Sequence, residues 1–229
     1  MRRLLIHSML NMRDLGGYAT LRGGMTQWMR FIRSDAFMRP SAEDINALKD
    51  AGLVMAIDLR EAEERAKHPS AFADVPGIEY LNICFADDPM HAFNPKADPP
   101  VDYVALVTGQ NRLTAVFEAI AGAPEGAVLF HCSAGKDRTG IVAALLLMLA
   151  EVPVPDIVAD YSVTHTYIRD ALIERFQLPD DKIILTMSKP EWIWRLIDHV
   201  NAQGGAARFL MMNGLSNGQI EVIKKRIVG

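Results

Sequence analysis

Apolar residues in this chain gather into short runs and longer stretches, and residues that favour turns separate them. Val128 to Phe130 is a short apolar run that reads as the end of a buried strand, and Ile141 to Ala150 is almost wholly apolar and long enough for a buried helix. Upstream, Trp28 to Arg33 predicts a short strand, Leu53 to Leu59 a buried strand and Ile78 to Phe85 another. Ser41 begins a helix, with Asp44 as its capping-box partner, and Gly52 closes it. Asp102 to Ala121 is helical in pattern with a break near Gly109, and Gly122 to Gly126 turns the chain into the strand at Val128.

After Ala150, Pro153 and Pro155 break the chain, and Asp156 to Ile168 reads as an amphipathic helix. Ser188-Lys-Pro-Glu191 starts a helix, with Pro190 in its first turn, that runs to about Gln203 and ends at Gly204-Gly205. Ala206 to Asn213 forms another, stopped by Gly214, and Ser216 with Gln219 caps the last. Alternating strands and helices predict an α/β fold: a central, twisted, mostly parallel sheet with helices on both faces.

Half of the 229 residues are apolar, ample material for a core. The net charge of −4, from 24 basic and 28 acidic side chains, argues against broad binding to nucleic acid or a membrane surface. Cys84 and Cys132 are the two cysteines, which excludes a disulfide framework and a cysteine-built metal cluster. Cys84 lies in an apolar stretch and reads as a core residue; the other reading is a redox partner for Cys132. No window reaches the roughly 20 apolar residues that span a bilayer. The opening Met-Arg-Arg-Leu-Leu-Ile-His is a poor signal peptide. The expectation is a soluble cytoplasmic protein without stable membrane anchoring, with export lacking a signal peptide left open. The chain shows no internal repeat, low-complexity tract or linker, so one domain over 1–229 is expected.

Between the run at Val128 and the helix at Ile141 lies His-Cys-Ser-Ala-Gly-Lys-Asp-Arg-Thr-Gly, residues 131–140. Strand, tight loop and helix aim backbone N–H groups and a helix N-terminus at one small space, which suits an anion. A thiol attacks only as its thiolate, and a helix N-terminus beside cations can lower a cysteine pKa from about 8.5 to roughly 3.5–7.5. Cys132 has His131 before it and Lys136 and Arg138 after it. The planar fork of Arg138 matches two oxygens of a phosphate. A nucleophile and a phosphate clamp at one point suggest phosphoryl transfer through a cysteinyl-phosphate.

His131-Cys132, five residues, then Arg138-Thr139 resembles the signature loop of protein tyrosine phosphatases. The fuller run to Gly140 resembles a narrower bacterial and fungal group, some of dual or triple specificity. Lys136 is also similar to a feature of the lipid phosphatases that act on phosphoinositides. The resemblance runs from about Asn11 to the C-terminus and implies a tyrosine-phosphatase-like fold with the signature loop between a central strand and a helix. It implies Cys132 as nucleophile, and Arg138 with the loop residues Ser133, Ala134, Gly135, Lys136 and Asp137 as the phosphate cradle. It also implies that His131 orients the loop and favours the thiolate, and that Thr139 donates to the sulfur when it leaves. The substrate is expected to be a phosphorylated protein, phosphotyrosine first, with phosphoserine, phosphothreonine or phosphoinositide as alternatives. No cofactor, metal or nucleic acid is implied.

The proton donor to the leaving oxygen stays open. Asp137 is the leading candidate from the resemblance, but its cationic neighbours favour the carboxylate over the acid. Asp87 and Asp88, at the start of the proline-rich loop 86–100, remain alternatives, as does Asp102 just beyond it; a loop this long is often a lid. Asn11-Met-Arg-Asp-Leu-Gly-Gly17 resembles a segment near the active site of the group and gives Arg13 and Asp14 supporting roles. Asp58-Leu-Arg60 with Glu63 or Glu64 also fits the family pattern; the other reading is a structural ion pair. Asp160-Tyr-Ser-Val-Thr164 resembles a segment that follows the signature in this group, and Tyr161 within it reads as packing. Two rival classes are a phosphate-binding module without turnover and a sulfurtransferase or arsenate reductase.

Overall fold

The computed structural model describes residues 3, 4, 6, 8–36, 39–85, 94, 96–109 and 112–229. Five strands form one sheet: β1 (Arg13–Asp14), β2 (Phe31–Ser34), β3 (Leu53–Asp58), β4 (Glu79–Asn82) and β5 (Ala127–His131), in the order β1-β2-β5-β3-β4. Only β1 pairs antiparallel; β2, β5, β3 and β4 run parallel, so the sheet is mixed and mostly parallel as expected. β5 is central and every one of its residues is buried, which is why its sequence reads as a continuous apolar run rather than an alternating one.

Period-two alternation divides the core between the two faces. Phe31, Met55, Ile57, Val128 and Phe130 face a large cluster with α3 (Tyr103–Thr108), α4 (Leu113–Gly122), α5 (Asp137–Leu149), α6 (Val154–Ser162), and also α8 (Pro190–Ala202), α9 (Gly205–Met212) and α10 (Asn217–Val228). Ile32, Ala56, Ala127 and Leu129 face a smaller cluster with Met9, Met12, Phe72 and Leu48 of α1 (Ala42–Asp50). The remaining elements are α2 (Ala62–Lys67), α7 (Thr164–Phe176) and a 3-10 segment, Asp180–Thr186. α5 runs through the middle of the larger cluster, apolar on nearly all sides.

Several boundaries differ from the pattern. β2 begins at Phe31 rather than Trp28, and β4 covers only the middle of the 78–85 run. The stretch expected as one helix over 156–168 begins at Val154 and breaks at Val163 into α6 and α7. Ser188 does not cap α8: its hydroxyl accepts from the His165 amide at 2.8 Å and donates to the Ser162 carbonyl at 2.9 Å, holding that break. A hydroxyl near a helix start goes to the nearest orphan backbone group, and here a neighbouring helix presents it. Among the described residues no helix is long and apolar enough to cross a membrane.

Phe130 is wholly buried at the centre of the sheet. Phe130→Ala is therefore expected to destabilise the fold by about 3–5 kcal/mol, measured as a lower urea midpoint with an unchanged slope.

Candidate active site

The loop from Cys132 to Lys136 joins β5 to α5. Gly135 sits at φ +64°, and a Cβ there would come within 2.5 Å of the Ser34 carbonyl oxygen, so both conformation and space require glycine.

Every carbonyl from His131 to Lys136 is taken by a donor outside the loop's concave side. The Leu59 amide donates to His131 O at 2.8 Å, the His131 ring to Cys132 O at 3.1 Å, and the Ala36 amide to Ser133 O at 2.9 Å. Asn11 Nδ2 donates to both Ala134 O and Gly135 O at 2.9 Å, Arg33 Nη2 to Gly135 O at 2.8 Å, and the Gly140 amide to Lys136 O at 2.8 Å. With the carbonyls drawn outward, the amides are left to the inside. The amides of Cys132 to Lys136 have no acceptor among the described residues. That is a nest for an anion.

Cys132 is buried at the bottom of this loop, in the larger core cluster. Arg138, in the first turn of α5, faces Glu64 of α2 in a bidentate pair: Nη1 to Oε2 at 2.6 Å and Nη2 to Oε1 at 2.8 Å. The Ser133 hydroxyl also donates to Glu64 Oε1. Burial would raise the Glu64 pKa, but the bonds from Arg138 and Ser133 outweigh it and hold the carboxyl down at about 2. Burial pushes the Arg138 guanidinium the other way, and Glu64 together with the charge of Cys132 more than restores it. The guanidinium is permanently charged.

His131 is buried, and desolvation lowers its pKa more than Asp58 raises it. It is a neutral imidazole at neutral pH, so the expectation that it adds a cation beside the thiol is corrected: it acts through geometry. A carbonyl only accepts, so Nδ1 carries the proton donated to Cys132 O. Asp58, opposite His131 in the sheet, is occupied by Arg60, whose Nε and Nη2 bind it at 2.9 and 2.7 Å.

The N-terminal motif braces the loop. Arg13 donates to Asn11 Oδ1 at 2.6 Å and to Asp160 Oδ1 at 2.8 Å, and Arg33 donates to Asp160 Oδ2 at 2.5 Å. One buried carboxylate of α6 thus fixes two guanidiniums. Arg33 reaches the loop directly, and Arg13 reaches it through Asn11. Burial alone would raise the Asp160 pKa, yet the two arginines bring it down to about 2. Asp14 accepts from the Gly16 amide at 2.8 Å and the Met29 amide at 2.7 Å and shapes the turn beside β1.

Asp137 opens α5, and its Oδ1 accepts from the Tyr103 hydroxyl at 2.5 Å; Tyr103 and Tyr161 share a second hydroxyl contact at 2.5 Å. Burial, then the charge of Asp137, keeps Tyr103 protonated far into base. Tyr161, read from sequence as packing, therefore also belongs to a polar chain. Lys136 is buried: Nζ donates to Leu185 O at 2.7 Å and lies 5.5 Å from the Trp192 ring. It points neither to solvent nor to the inside of the loop. The Thr139 hydroxyl is buried with no protein partner among the described residues. Asp102 caps α3 with its carboxylate on the Val104 and Ala105 amides at 3.0 and 3.1 Å, a helix-end role. Asp87 and Asp88 lie outside the described residues.

The model of the tyrosine phosphatase family matches residues 4–229. This chain belongs to that family. Among curated relatives, a tyrosine-protein phosphatase of Nostoc commune is 37% identical over 144 residues, 60% of this chain and 49% of its own length. A Cupriavidus necator relative is 32% identical over 169 residues, 69% of this chain and 61% of its own length. The chain thus spans about half to three-fifths of these family members. Among solved structures, P. aeruginosa TpbA is similar with a TM-score of 0.37 and 18% identity, over 70% of this chain and 87% of that one. A TpbA complex with phosphotyrosine gives a TM-score of 0.37 and 17% identity, over 66% and 87%.

Arg33 and Tyr103 were not singled out in the sequence; Asp160 was marked only as the first residue of the Asp160–Thr164 segment that resembles the group's, with no partner assigned. An arginine inside the apolar run that becomes β2 was a usable signal, because a buried charge needs a partner. Nothing local marks Tyr103 or pairs it with Asp137.

Asp160 has a folded pKa below its ordinary 3.8, so its contribution to stability is complete above about pH 4 and is lost as pH falls through about 2. Asp160→Asn should cost about 3–5 kcal/mol at neutral pH, because two buried guanidiniums lose their charge partner. The gap from wild type, followed by urea unfolding, should narrow as pH drops through that window.

Proposed function

We propose that this protein is a cysteine-dependent phosphatase that hydrolyses phosphate monoesters, phosphotyrosine on proteins first, through a cysteinyl-phosphate. The observation that carries this reading is the outward capture of all six carbonyls from His131 to Lys136, around a cysteine and an arginine held by Glu64. That arrangement serves a tetrahedral dianion and little else.

The thiolate of Cys132 attacks phosphorus in line, and the bond from phosphorus to the ester oxygen breaks. The loop amides and Arg138 hold the three equatorial oxygens, with contacts that strengthen as charge spreads in the transition state. Asp137 gives its proton to the leaving oxygen; Tyr103 fixes its Oδ1, which leaves Oδ2 as the proton-carrying oxygen. Water then attacks the phosphocysteine and gives its proton back to Asp137, the bond from phosphorus to sulfur breaks, and inorganic phosphate leaves as the thiolate departs toward the Thr139 hydroxyl, which has no partner among the described residues. Glu64 is a positioning residue: its two oxygens set the plane of the Arg138 fork. Phosphotyrosine ranks above phosphoinositide because Lys136, the cation offered for a second phosphate, is committed to Leu185 and Trp192.

Wild type should turn over p-nitrophenyl phosphate, and Cys132→Ser should reduce the rate to background; persistence of turnover in that variant would exclude the covalent route. Asp137→Asn should slow hydrolysis of an alkyl phosphate far more than of p-nitrophenyl phosphate, whose leaving group needs little protonation. Equal slowing of the two would remove Asp137 as the acid.

A further inference from the structure

A second recess lies on the other side of the sheet from Cys132. It has a volume of about 410 Å³ and is lined on its apolar side by Met9 and Phe72, members of the smaller core cluster. Its charged lining is all of one sign: Arg39, Arg60, Lys67 and Arg175, joined by His68 and His131, with no carboxylate among the lining residues. The chain as a whole is acidic, at −4, so this is a local segregation of charge rather than a reflection of composition. Arg39 and Lys67 are exposed and make no ion pair with any described residue.

The deep end of the recess is built rather than incidental. Arg60 is buried and held rigid by Asp58 and by the His68 carbonyl at 2.9 Å from Nη1. Those bonds use Nε, one Nη1 hydrogen and one Nη2 hydrogen, so each terminal nitrogen keeps a second donor. His131 is buried as well; its Nε2 lies 3.8 Å from Asp58 Oδ2, a carboxylate already bonded by Arg60, and has no hydrogen-bond partner among the described residues. Because Nδ1 carries the ring proton, Nε2 presents a lone pair and calls for a donor. A ligand that suits both groups carries anionic oxygens for the arginines and one O–H for the imidazole. A phosphate group part-protonated near neutral pH, with a second pKa near 6, has both. Sulfate has the charge without the O–H.

We propose that this recess is a second anion site, which takes the phosphate group of a soluble small molecule separate from the substrate. Two of its walls touch the signature loop: His131 through the Cys132 carbonyl and Ala36 through the Ser133 carbonyl. The site is independent of turnover and does not require the phosphatase reading.

Equilibrium dialysis of the full chain against inorganic phosphate tests it by counting phosphates bound. Wild type should bind two per chain. Arg39→Gln/Lys67→Gln, at exposed positions whose fold is checked by thermal melt, should weaken one of them by roughly tenfold or more, since each lost cation removes a charge-assisted bond. Arg138→Met should remove the other and leave this one. Sulfate should fill the recess more weakly than phosphate. A single phosphate in wild type that Arg138→Met removes, an Arg39/Lys67 variant that binds as wild type does, or sulfate binding there as tightly as phosphate would overturn the proposal. Failure of the active-site reading gives a different pattern: Arg138→Met would change nothing while the Arg39/Lys67 variant still loses its phosphate.

Discussion

A ring of backbone amides can serve an anion only if the carbonyls of the same residues are satisfied elsewhere, because each peptide unit carries both groups in opposed directions. The rest of this molecule depends on that constraint. Six successive carbonyls from His131 to Lys136 are met by six separate pieces of chain: the residue after β3, the ring of His131, the residue after β2, Asn11, Arg33 and the first turn of α5. The sheet order puts β5 between β2 and β3 and so brings the ends of its two neighbours against the loop from either side. A carbonyl that lost its donors would be free to turn inward, where it would repel the anion the loop is shaped to hold; Gly135 O has two, from Asn11 and Arg33.

The charges follow the same logic of fixed orientation. Asp160 is buried between two arginines, and a single buried carboxylate offset by two cations is a costly arrangement unless geometry is close and bonds are saturated. Arg13 meets that condition with bonds to Asn11, Asp160 and Thr164, while Arg33 bonds Asp160 and the loop through its two terminal nitrogens and leaves its Nε without a partner among the described residues. Glu64 does the equivalent for Arg138, so the guanidinium of the signature motif is held by a carboxylate whose own pKa is far below neutrality. Buried pairs of this kind give orientation more than stability, and orientation is what in-line chemistry needs.

Histidine 131 shows how burial changes a role suggested by residue type. Beside a cysteine in a list of residues it reads as a cation. Placed on the far face of β5 and buried against Phe72 at 6.4 Å, it is neutral, and its service to the loop is one hydrogen bond. The other ring nitrogen looks into a different part of the molecule, which is how a residue of the signature motif comes to line the basic recess behind it.

The sequence by itself determined the loop, its flanking strand and helix, and the parallel α/β arrangement, because these rest on local facts: an unbroken apolar run, a glycine where φ must be positive, a ten-residue motif and hydrophobic periods. The capping boxes at Ser41 and Ser216 were equally legible, since both partners lie within one turn. The tertiary structure alone decided what each polar group is for. Asp160 lies 147 residues from Arg13, Glu64 lies 74 from Arg138, and Tyr103 lies 34 from Asp137. It also decided that Lys136 turns inward to Leu185, that Ser188 caps α7 rather than α8, and that Asp102 is spent on a helix end. Hydrogen bonds and ion pairs act over a few ångströms and take no account of chain distance, so only the fold reveals which residues share them.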